Sequence, residues 1–344
     1  MNPIHLDVDA LAEAARFNRK LAWAPRFKIS NRVIPVLIQS LLRLSQIGGG
    51  LRAARAGMRV ESRVVEVDGV RVPVRILRGA RPARGVVLDF HGGGWAIGNA
   101  QMNDRLNAAM IAACDVAVVS VDYRLATATL ITCIMDDCLA ASRWLLQGGL
   151  PEYEGLPVYM LGESAGAHLA AATLLRLKSR PELLRRIDGA ILYYGVYDLA
   201  GTPSVREAGA ETLVLHGPGM VDSLRLLTPG LTDAQRRLPP LSPLYGELAG
   251  MPAAILIAGQ RDPLRDDTIE MARRWREAAP AELHLLPEAP HGFIRFPTRM
   301  AGHVLARVHD WLRTRIAGVS GFAAAAEGGR VFVGEQRAKE EDLR

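Results

Sequence analysis

The sequence has few cysteines and few aromatic residues, and these shortages limit what the protein can be. Its 344 residues include only Cys114, Cys133 and Cys138, at no spacing typical of a metal site. An odd number of cysteines without a regular pattern argues against a small secreted fold built on disulfides. We therefore expect reduced thiols, no metal site and a cytoplasmic protein.

Long apolar runs are also missing. The most apolar stretch near the N-terminus covers residues 33–50, and Pro35, Gln39 and Arg43 interrupt it. A membrane-spanning helix needs about 20 consecutive apolar residues, so we expect no stable insertion into a membrane. The stretch instead predicts an amphipathic helix packed on an apolar surface. The first 23 residues mix acidic and basic side chains, which is not typical of a secretory signal.

The charge balance is basic but has no recognition motif. The chain carries 42 Lys and Arg against 36 Asp and Glu, a net charge of +6. These basic residues are scattered, and no nucleic-acid-binding motif accompanies them. The sequence therefore predicts a solvated basic surface and no nucleic-acid partner.

Short apolar runs alternate with helical patterns over most of the chain. A turn signal at Asp68–Gly69 joins two strand-like segments into a predicted hairpin. Six buried strand-like runs follow, separated by amphipathic helices. The runs are GVVLDF, VAVVSVDY, LPVYMLG, GAILYYG, AAILIAG and AELHLLP. This order predicts an α/β fold with a mainly parallel sheet, helices on both faces and chemistry at the carboxyl ends of the strands.

Two segments do not follow the alternation, which suggests how the chain is divided. Residues 1–55 and about 201–245 are expected to form a cap, the second as an insertion in a catalytic domain of residues 56–318. Residues 319–344 combine Ala and Gly with charges and predict a loosely ordered tail.

The segment Gly162-Glu163-Ser164-Ala165-Gly166 has the pattern G-x-S-x-G between a predicted strand and a predicted helix. The glycines permit a sharp turn that exposes the serine hydroxyl, while the new helix directs its positive end toward it. The pattern in this context predicts that Ser164 is a nucleophile.

A serine hydroxyl needs a base to take its proton and an acid to orient that base. Asp262 follows one predicted strand and His291 follows the next. Ser164, Asp262 and His291 therefore occur in the chain order typical of hydrolases whose nucleophilic serine lies in a turn between a strand and a helix.

Two other acids and one other histidine could compete for these catalytic roles, but each has a structural explanation. Asp266 and Asp267 are rival acids, but they lie at the start of a predicted helix, where carboxylates serve as caps. His168 lies one helical turn after Ser164 and is expected to pack against the turn.

The triplet Gly92-Gly93-Gly94 follows an early predicted strand. Attack on an acyl carbonyl produces an oxyanion, which preorganised N–H donors stabilise. Glycine leaves room for a substrate beside the backbone, and the N–H of Ala165 would be a further donor. A phosphate-binding loop is disfavoured, because the Lys-Ser/Thr of a P-loop and the spacing of a dinucleotide site are missing.

Together, HGGGWAIG, DYRLA, GESAG, DPLRDD and HGF resemble the hormone-sensitive-lipase-like branch of the α/β-hydrolases, in particular bacterial carboxylesterases of the acetyl-esterase type. The resemblance covers Val64 to Ile316. It implies an α/β-hydrolase fold with a helical cap, short-to-medium-chain acyl esters as substrates and no cofactor. It implies these roles: nucleophile Ser164, orienting acid Asp262, base His291, and oxyanion donors Gly92, Gly93, Gly94 and Ala165.

The chain departs from this family at one place. After DYRLA the family usually continues with prolines, whereas this chain has the proline-free TATLITCIMDDC. In such enzymes the loop braces the nucleophile turn and the oxyanion strand. The main expectation is therefore a serine carboxylesterase, and the alternative is a non-catalytic or impaired ligand-binding protein of the same fold.

Two points stay open at this stage. Trp23, Phe27, Leu37 and Leu41 are candidates either to line the acyl pocket or to form the core of the cap. A homodimer through the outer helices and the last strand is compatible with this organisation.

Overall fold

The strands form one sheet in this computed structural model, which describes residues 4–29, 33–318 and 331–333. Strand order across the sheet is β1-β2-β4-β3-β5-β6-β7-β8-β9. The strands are β1 Arg59–Val67, β2 Val70–Arg78, β3 Val86–Phe90, β4 Ala117–Val121, β5 Val158–Glu163, β6 Ile187–Tyr193, β7 Ala253–Gly259, β8 Ala281–Leu286 and β9 Val331–Val333.

Most of the sheet is parallel. The hairpin β1–β2 and the β2–β4 pair are antiparallel, whereas the strands from β4 through β9 are parallel neighbours. This confirms the predicted α/β fold class and its hairpin around Asp68–Gly69. The carboxyl ends of β3, β5, β7 and β8 therefore lie at one edge, just before the glycine triplet and the three predicted catalytic residues.

Helices cover both faces of this sheet. They are α1 Val8–Leu21, α2 Val33–Ser45, α3 Gly49–Arg55, α4 Asp104–Cys114, α5 Ile131–Leu146, α6 Ala165–Leu177, α7 Pro181–Leu184, α8 Pro203–Arg206, α9 Met220–Leu227, α10 Asp233–Arg236, α11 Arg265–Ala278 and α12 Arg299–Ile316. No helix among the described residues is long and apolar enough to cross a bilayer.

Alternate residues of the buried strands feed two apolar layers. Leu88 and Leu256 face the layer that contains Trp275 of α11, together with α5 and α6. Val87 and Ile255 face the other layer, with α4 and α12. Alternation along a strand sends neighbouring side chains to opposite faces, so helices on both sides are needed to bury them.

The N-terminal segment is not one unit. α1 places Leu11 and Ala14 in the apolar layer of α12, away from the predicted cap. Asn18 donates to the carbonyl of Glu288 at 2.6 Å, just before the loop that carries His291. Much of the segment expected to be cap therefore packs on the body of the protein.

Two element boundaries differ from those expected. The amphipathic pattern DDCLAASRWLLQ predicts a helix from Asp136, but α5 begins at Ile131, because Ile131, Ile134 and Met135 continue the helical spacing and are buried. In the predicted tail, Val331–Val333 forms β9, parallel to Leu283–Leu285. The other residues of 319–344 lie outside the described part of the chain.

Candidate active site

Ser164 occupies a strained turn between β5 and α6. Its φ of 54° and ψ of −120° are rarely adopted by a residue with a side chain. The Ser164 N–H donates to the carbonyl of Tyr193 at 2.9 Å, which fixes the turn. A Cβ on Gly166 would lie 1.9 Å from the carbonyl oxygen of Phe90, so only glycine lets α6 approach β3 this closely.

The three predicted catalytic residues come together as a hydrogen-bonded chain. His291 Nε2 lies 2.9 Å from Ser164 Oγ, and His291 Nδ1 lies 2.8 Å from Asp262 Oδ2. The other carboxylate oxygen of Asp262 accepts from the N–H of Leu264 at 2.8 Å. Asp262 and His291 are 1% and 6% exposed, so little water competes for these bonds. The ring of Tyr194 meets His291 edge-on and limits its rotation.

The rival acids lie elsewhere and do not act as the expected caps. Asp267 is buried and accepts from the N–H of Tyr197 and of Asp198 at 2.6 and 2.9 Å, and from the hydroxyl of Thr202 at 2.5 Å. Asp266 accepts from the N–H of Ser204 at 2.9 Å. Both carboxylates therefore hold the chain that follows β6, and neither is bonded to His291.

The glycine triplet lies beside Ser164, but its three N–H groups are not equivalent. The N–H of Gly92 donates to Glu163 Oε1 at 3.4 Å, which directs it away from a substrate. The N–H groups of Gly93, Gly94 and Ala165 donate to no acceptor among the described residues. These three amides are the ones free to meet an oxyanion.

The glycines are also required for a reason that sequence reasoning did not predict. A Cβ on Gly93, whose φ is 111°, would lie 2.2 Å from the carbonyl oxygen of Ile97. A Cβ on Gly94, at φ 59°, would lie 3.0 Å from the ring of Phe27 and 3.1 Å from Ile29. Side chains there would collide with the protein itself, so the glycines set the loop conformation and let the chain near residue 27 come close.

A buried ion pair supports the floor of the site. Glu163, 3% exposed, pairs with the guanidinium of Arg295 and accepts from the hydroxyl of Tyr194 at 3.1 Å. Burial opposes ionisation, but the charge and hydrogen bonds of Arg295 keep the pKa of Glu163 below its usual value. Sequence reasoning missed this pair, although Glu163 belongs to GESAG and Arg295 follows His291 by four residues.

The same network reaches the oxyanion strand. Arg295 also contacts the side-chain oxygen of Asn103, and Asn103 donates to Asp89 Oδ1 at 2.9 Å. Asp89 lies in β3 and further accepts from Asn107 and Ser120, both at 2.8 Å. Burial raises the pKa of Asp89 to about 6 in spite of these donors.

Two further buried histidines shape the site without joining the catalytic chain. His168 accepts from Trp95 Nε1 at 3.2 Å and lies 2.8 Å from the carbonyl of Leu241, as expected for a residue packed beside the serine turn. His91 stacks on Tyr123 with ring centroids 4.1 Å apart. Burial lowers the pKa of both histidines to about 4, so they are neutral at pH 7.

A cavity of 280 Å³ opens directly in front of Ser164 and His291. Its other walls are mainly apolar and come partly from the two segments expected to form the cap. These walls include Phe27, Ile29, Val196, Val214, Leu215, Met220, Leu224, Leu227 and Leu264. The arrangement favours an apolar group next to the serine hydroxyl.

Of the four candidates for the pocket lining, only Phe27 lies there. Trp23, Leu37 and Leu41 are 92%, 60% and 67% exposed, so they neither line the cavity nor form a cap core. The helix α2 is thus apolar as expected, but it does not bury its leucines.

The two cap segments are joined by backbone hydrogen bonds. The N–H of Phe27 donates to the carbonyl of Val214 at 2.6 Å, and the N–H of His216 donates back to the carbonyl of Phe27 at 3.0 Å. The Ser223 hydroxyl donates to the carbonyl of Ile29 at 3.1 Å. Both segments therefore cover the cavity as one roof.

The proline-free segment is well packed. The N–H of Ala126 donates to the carbonyl of Trp95 at 2.8 Å, which ties this chain to the oxyanion loop. Asp137 accepts from both the backbone and the guanidinium of Arg124 at 2.7–3.1 Å. The residues from Ile131 onward belong to α5, so most of the proline-free segment is helical.

The chain provides no evident metal centre in the described residues, where no three His, Cys, Asp or Glu side chains are placed to hold an ion. Cys114, Cys133 and Cys138 are free thiols. Burial raises the pKa of Cys114 to about 12, which makes it unreactive at neutral pH.

Comparison with known proteins identifies the family. A family model described as alpha/beta hydrolase fold matches residues 87–295, which include the glycine triplet and the three catalytic candidates. The chain belongs to the α/β-hydrolase fold family. Carboxylesterase NlhH of Mycobacterium tuberculosis is 33% identical over 254 residues, covering 70% of this chain and 76% of that protein. An arylesterase of Saccharolobus solfataricus is 30% identical over 219 residues, which cover 62% of this chain and 70% of the arylesterase.

Solved structures agree with this assignment. Esterase LipW of Mycobacterium marinum superimposes with a TM-score of 0.77 at 28% identity, covering 89% of this chain and 97% of LipW. An esterase of Pyrobaculum calidifontis has a TM-score of 0.73 at 23% identity, which supports the fold alone. The predicted α/β-hydrolase fold, the hormone-sensitive-lipase-like family and the enzyme class of carboxylic ester hydrolases are confirmed. The division into domains, the homodimer and the cytoplasmic location remain predictions.

Proposed function

We propose that this α/β-hydrolase is a serine carboxylesterase in which Ser164 is the nucleophile, His291 the base and Asp262 the acid that orients His291. The observation that carries the proposal is the hydrogen-bonded chain Asp262–His291–Ser164, at 2.8 and 2.9 Å, facing a cavity of 280 Å³. Carboxylesterase and arylesterase are the names of its relatives, and this chemistry matches them.

The first half of the reaction transfers the acyl group to the enzyme. His291 Nε2 takes the hydroxyl proton of Ser164 while Oγ attacks the ester carbonyl. The negative charge that forms on the carbonyl oxygen meets the N–H groups of Gly93, Gly94 and Ala165. His291 then gives its proton to the alkoxy oxygen, the carbon–oxygen bond breaks and the alcohol leaves.

The second half releases the acid. His291 takes a proton from a water molecule, whose oxygen attacks the acyl-Ser164 carbonyl. The bond to Oγ then breaks, and Ser164 regains its proton from His291. Asp262 stays ionised throughout and stabilises the imidazolium that forms in each half.

The cavity limits the substrate. Its volume lies near the lower end of the roughly 300–1,000 Å³ typical of pockets for drug-sized ligands, which favours short-to-medium acyl chains. The charges of Glu163 and Arg295 compensate each other at its edge, and most of the other walls are apolar, so the cavity favours an apolar acyl group, with Lys28 as one further cation in the lining. Amides and lactones would undergo the same chemistry, but esters have the better leaving group.

The proposal is tested with purified protein and p-nitrophenyl acetate, butyrate and octanoate. Ser164→Ala should lower kcat by a factor of about 10⁴–10⁶. Ser179→Ala is the matched control, because Ser179 is exposed just beyond the C-terminal end of α6 and the variant should keep full activity. An unchanged kcat in folded Ser164→Ala would overturn the assignment. No turnover in the folded wild type would favour the non-catalytic or impaired alternative.

A further inference from the structure

The N-terminal segment, which includes α1, the roof residues Phe27 and Ile29, and α2, has an unusual charge composition. Residues 14–60 contain ten Lys and Arg and no Asp or Glu, although the whole chain has a net charge of only +6. The remainder of the chain is therefore net negative. The basic residues themselves are spread along the chain, but the net excess of positive charge lies in this segment.

The helix α2 in this segment buries the polar side chain of Gln39 on its inner side. Gln39, 8% exposed, makes two hydrogen bonds to the backbone of Gly98, donating at 2.9 Å and accepting at 2.7 Å. Gln46 exchanges hydrogen bonds with Asn99 at 3.0 and 2.6 Å. Amide side chains thus hold α2 to the loop that continues from the glycine triplet.

The outer side of this region is apolar. We call it the roof face and define it by Val36, Leu37, Leu41, Leu44 and Leu51. These side chains are 51%, 60%, 67%, 62% and 68% exposed in the described structure. A water-facing helix normally shows the opposite arrangement, so a surface of this kind marks an interaction site.

Basic side chains accompany the roof face. Lys28, Arg43 and Arg55 are exposed, and none forms an ion pair with a described residue. Lys28 also lines the cavity, and the charge of Arg43 acts on the carboxyl of Asp122. An apolar face flanked by exposed arginines has the composition of elements that lie in the interfacial region of a bilayer. Anionic headgroups attract such residues by about 1 kcal/mol each near the surface.

We propose that the roof face docks on an anionic lipid surface. Phe27 and Ile29, which line the cavity, directly precede α2 along the chain, so docking would place the cavity entrance close to the bilayer. A second copy of the chain is disfavoured as the occupant, because a two-fold interface would oppose the same basic segment to itself. Nucleic acid is disfavoured because the centre of the face is apolar.

The binding test is independent of hydrolysis. The Ser164→Ala protein is mixed with vesicles of phosphatidylcholine alone or with added phosphatidylglycerol, and bound protein is measured by flotation. We expect binding to the anionic vesicles only, weakened by high salt. Replacing Leu37 and Leu41 by Ser should lower the partition constant about tenfold or more. Replacing Arg43 and Arg55 by Gln should lower it about fivefold per arginine.

The matched control replaces Leu130 and Leu238, 55% and 61% exposed at other places, by Ser. This control should bind like the parent protein. The proposal would be overturned if both double-leucine variants lost vesicle binding equally, or if the parent protein did not bind anionic vesicles. A stable dimer in sedimentation that the Leu37 and Leu41 substitutions dissociate would also overturn it. The esterase assignment would be unaffected by any of these results, since kcat on soluble p-nitrophenyl acetate does not depend on docking.

Discussion

The two walls of the cavity are built by different means. The sheet wall carries Ser164 and His291 on backbone turns whose polar groups are buried and paired, down to the ion pair of Glu163 and Arg295. The roof wall consists of apolar side chains such as Leu224 and is held by a few backbone hydrogen bonds. The difference indicates that the sheet wall sets the chemistry, while the roof sets access and chain length.

The largest effect is expected at the sheet wall. His291→Gln keeps a polar side chain but removes the base, so kcat on p-nitrophenyl butyrate should fall by about 10⁴-fold or more with little change in thermal stability. His303→Gln, at an exposed position of α12, is the control and should be neutral. An active His291→Gln enzyme would mean that another group takes the serine proton.

The next largest effect concerns the ion pair beneath the serine turn. Arg295→Met leaves Glu163 buried without its cation and should cost about 3–5 kcal/mol in unfolding free energy, with a lower kcat because the oxyanion loop loses support. Adding Glu163→Gln should restore part of the stability. Arg299→Met breaks the partly exposed pairs with Glu13 and Asp7 and should cost about 1 kcal/mol or less. If urea unfolding showed the same loss of unfolding free energy for Arg295→Met and Arg299→Met, the buried pair would not be the more important one.

A substitution in the roof should change specificity instead. Leu224→Phe fills part of the cavity, so kcat/KM for the octanoate ester should fall about tenfold relative to the acetate ester, since a longer acyl chain loses its space. Leu226→Phe, on the same helix but 52% exposed, should leave the ratio unchanged. An equal fall in kcat/KM for both esters would mean that Leu224 affects the catalytic step itself, which would contradict the division of roles between the two walls.

The last prediction is a pH dependence of stability at the buried Asp267, which holds the chain after β6. Burial raises the pKa of Asp267 to about 7 despite the hydrogen bonds that it accepts. Because its pKa in the unfolded chain is about 3.9, the folded state holds the proton more tightly and stability should decline as pH rises from about 4 to about 7. Asp267→Asn should remove this part of the slope in urea unfolding, whereas exposed Asp310→Asn should not. If the unfolding free energy changed with pH in the same way in Asp267→Asn and Asp310→Asn, Asp267 would not be the source of this pH dependence.

Sequence reasoning predicted the parts of the molecule where local patterns decide the outcome. The buried strands, the hairpin at Asp68–Gly69 and the turn at Ser164 follow from residue spacing and turn chemistry. The placement of Asp262 and His291 follows because consecutive parallel strands end at the same edge of a sheet.

What sequence reasoning missed depends on contacts between distant segments. Arg295 meets Glu163 across 132 positions, and no local pattern announces that partner. Leu37 and Leu41 have the spacing of a buried helix face, but the hydrogen bonds that hold α2 to the protein come from Gln39 and from Gln46, which directly follows the helix. Periodicity predicts that a helix has an apolar side, whereas the tertiary structure decides which side is covered.

The central claim is that Ser164 forms the acyl-enzyme, and the most direct test is to trap it. Protein mixed rapidly with p-nitrophenyl butyrate and quenched in acid is digested, and the peptide that carries the butyryl group is identified by mass spectrometry. The account predicts one butyryl group on the peptide containing Ser164 and none in Ser164→Ala. A butyryl group on another residue, formed at the rate of turnover, would contradict it.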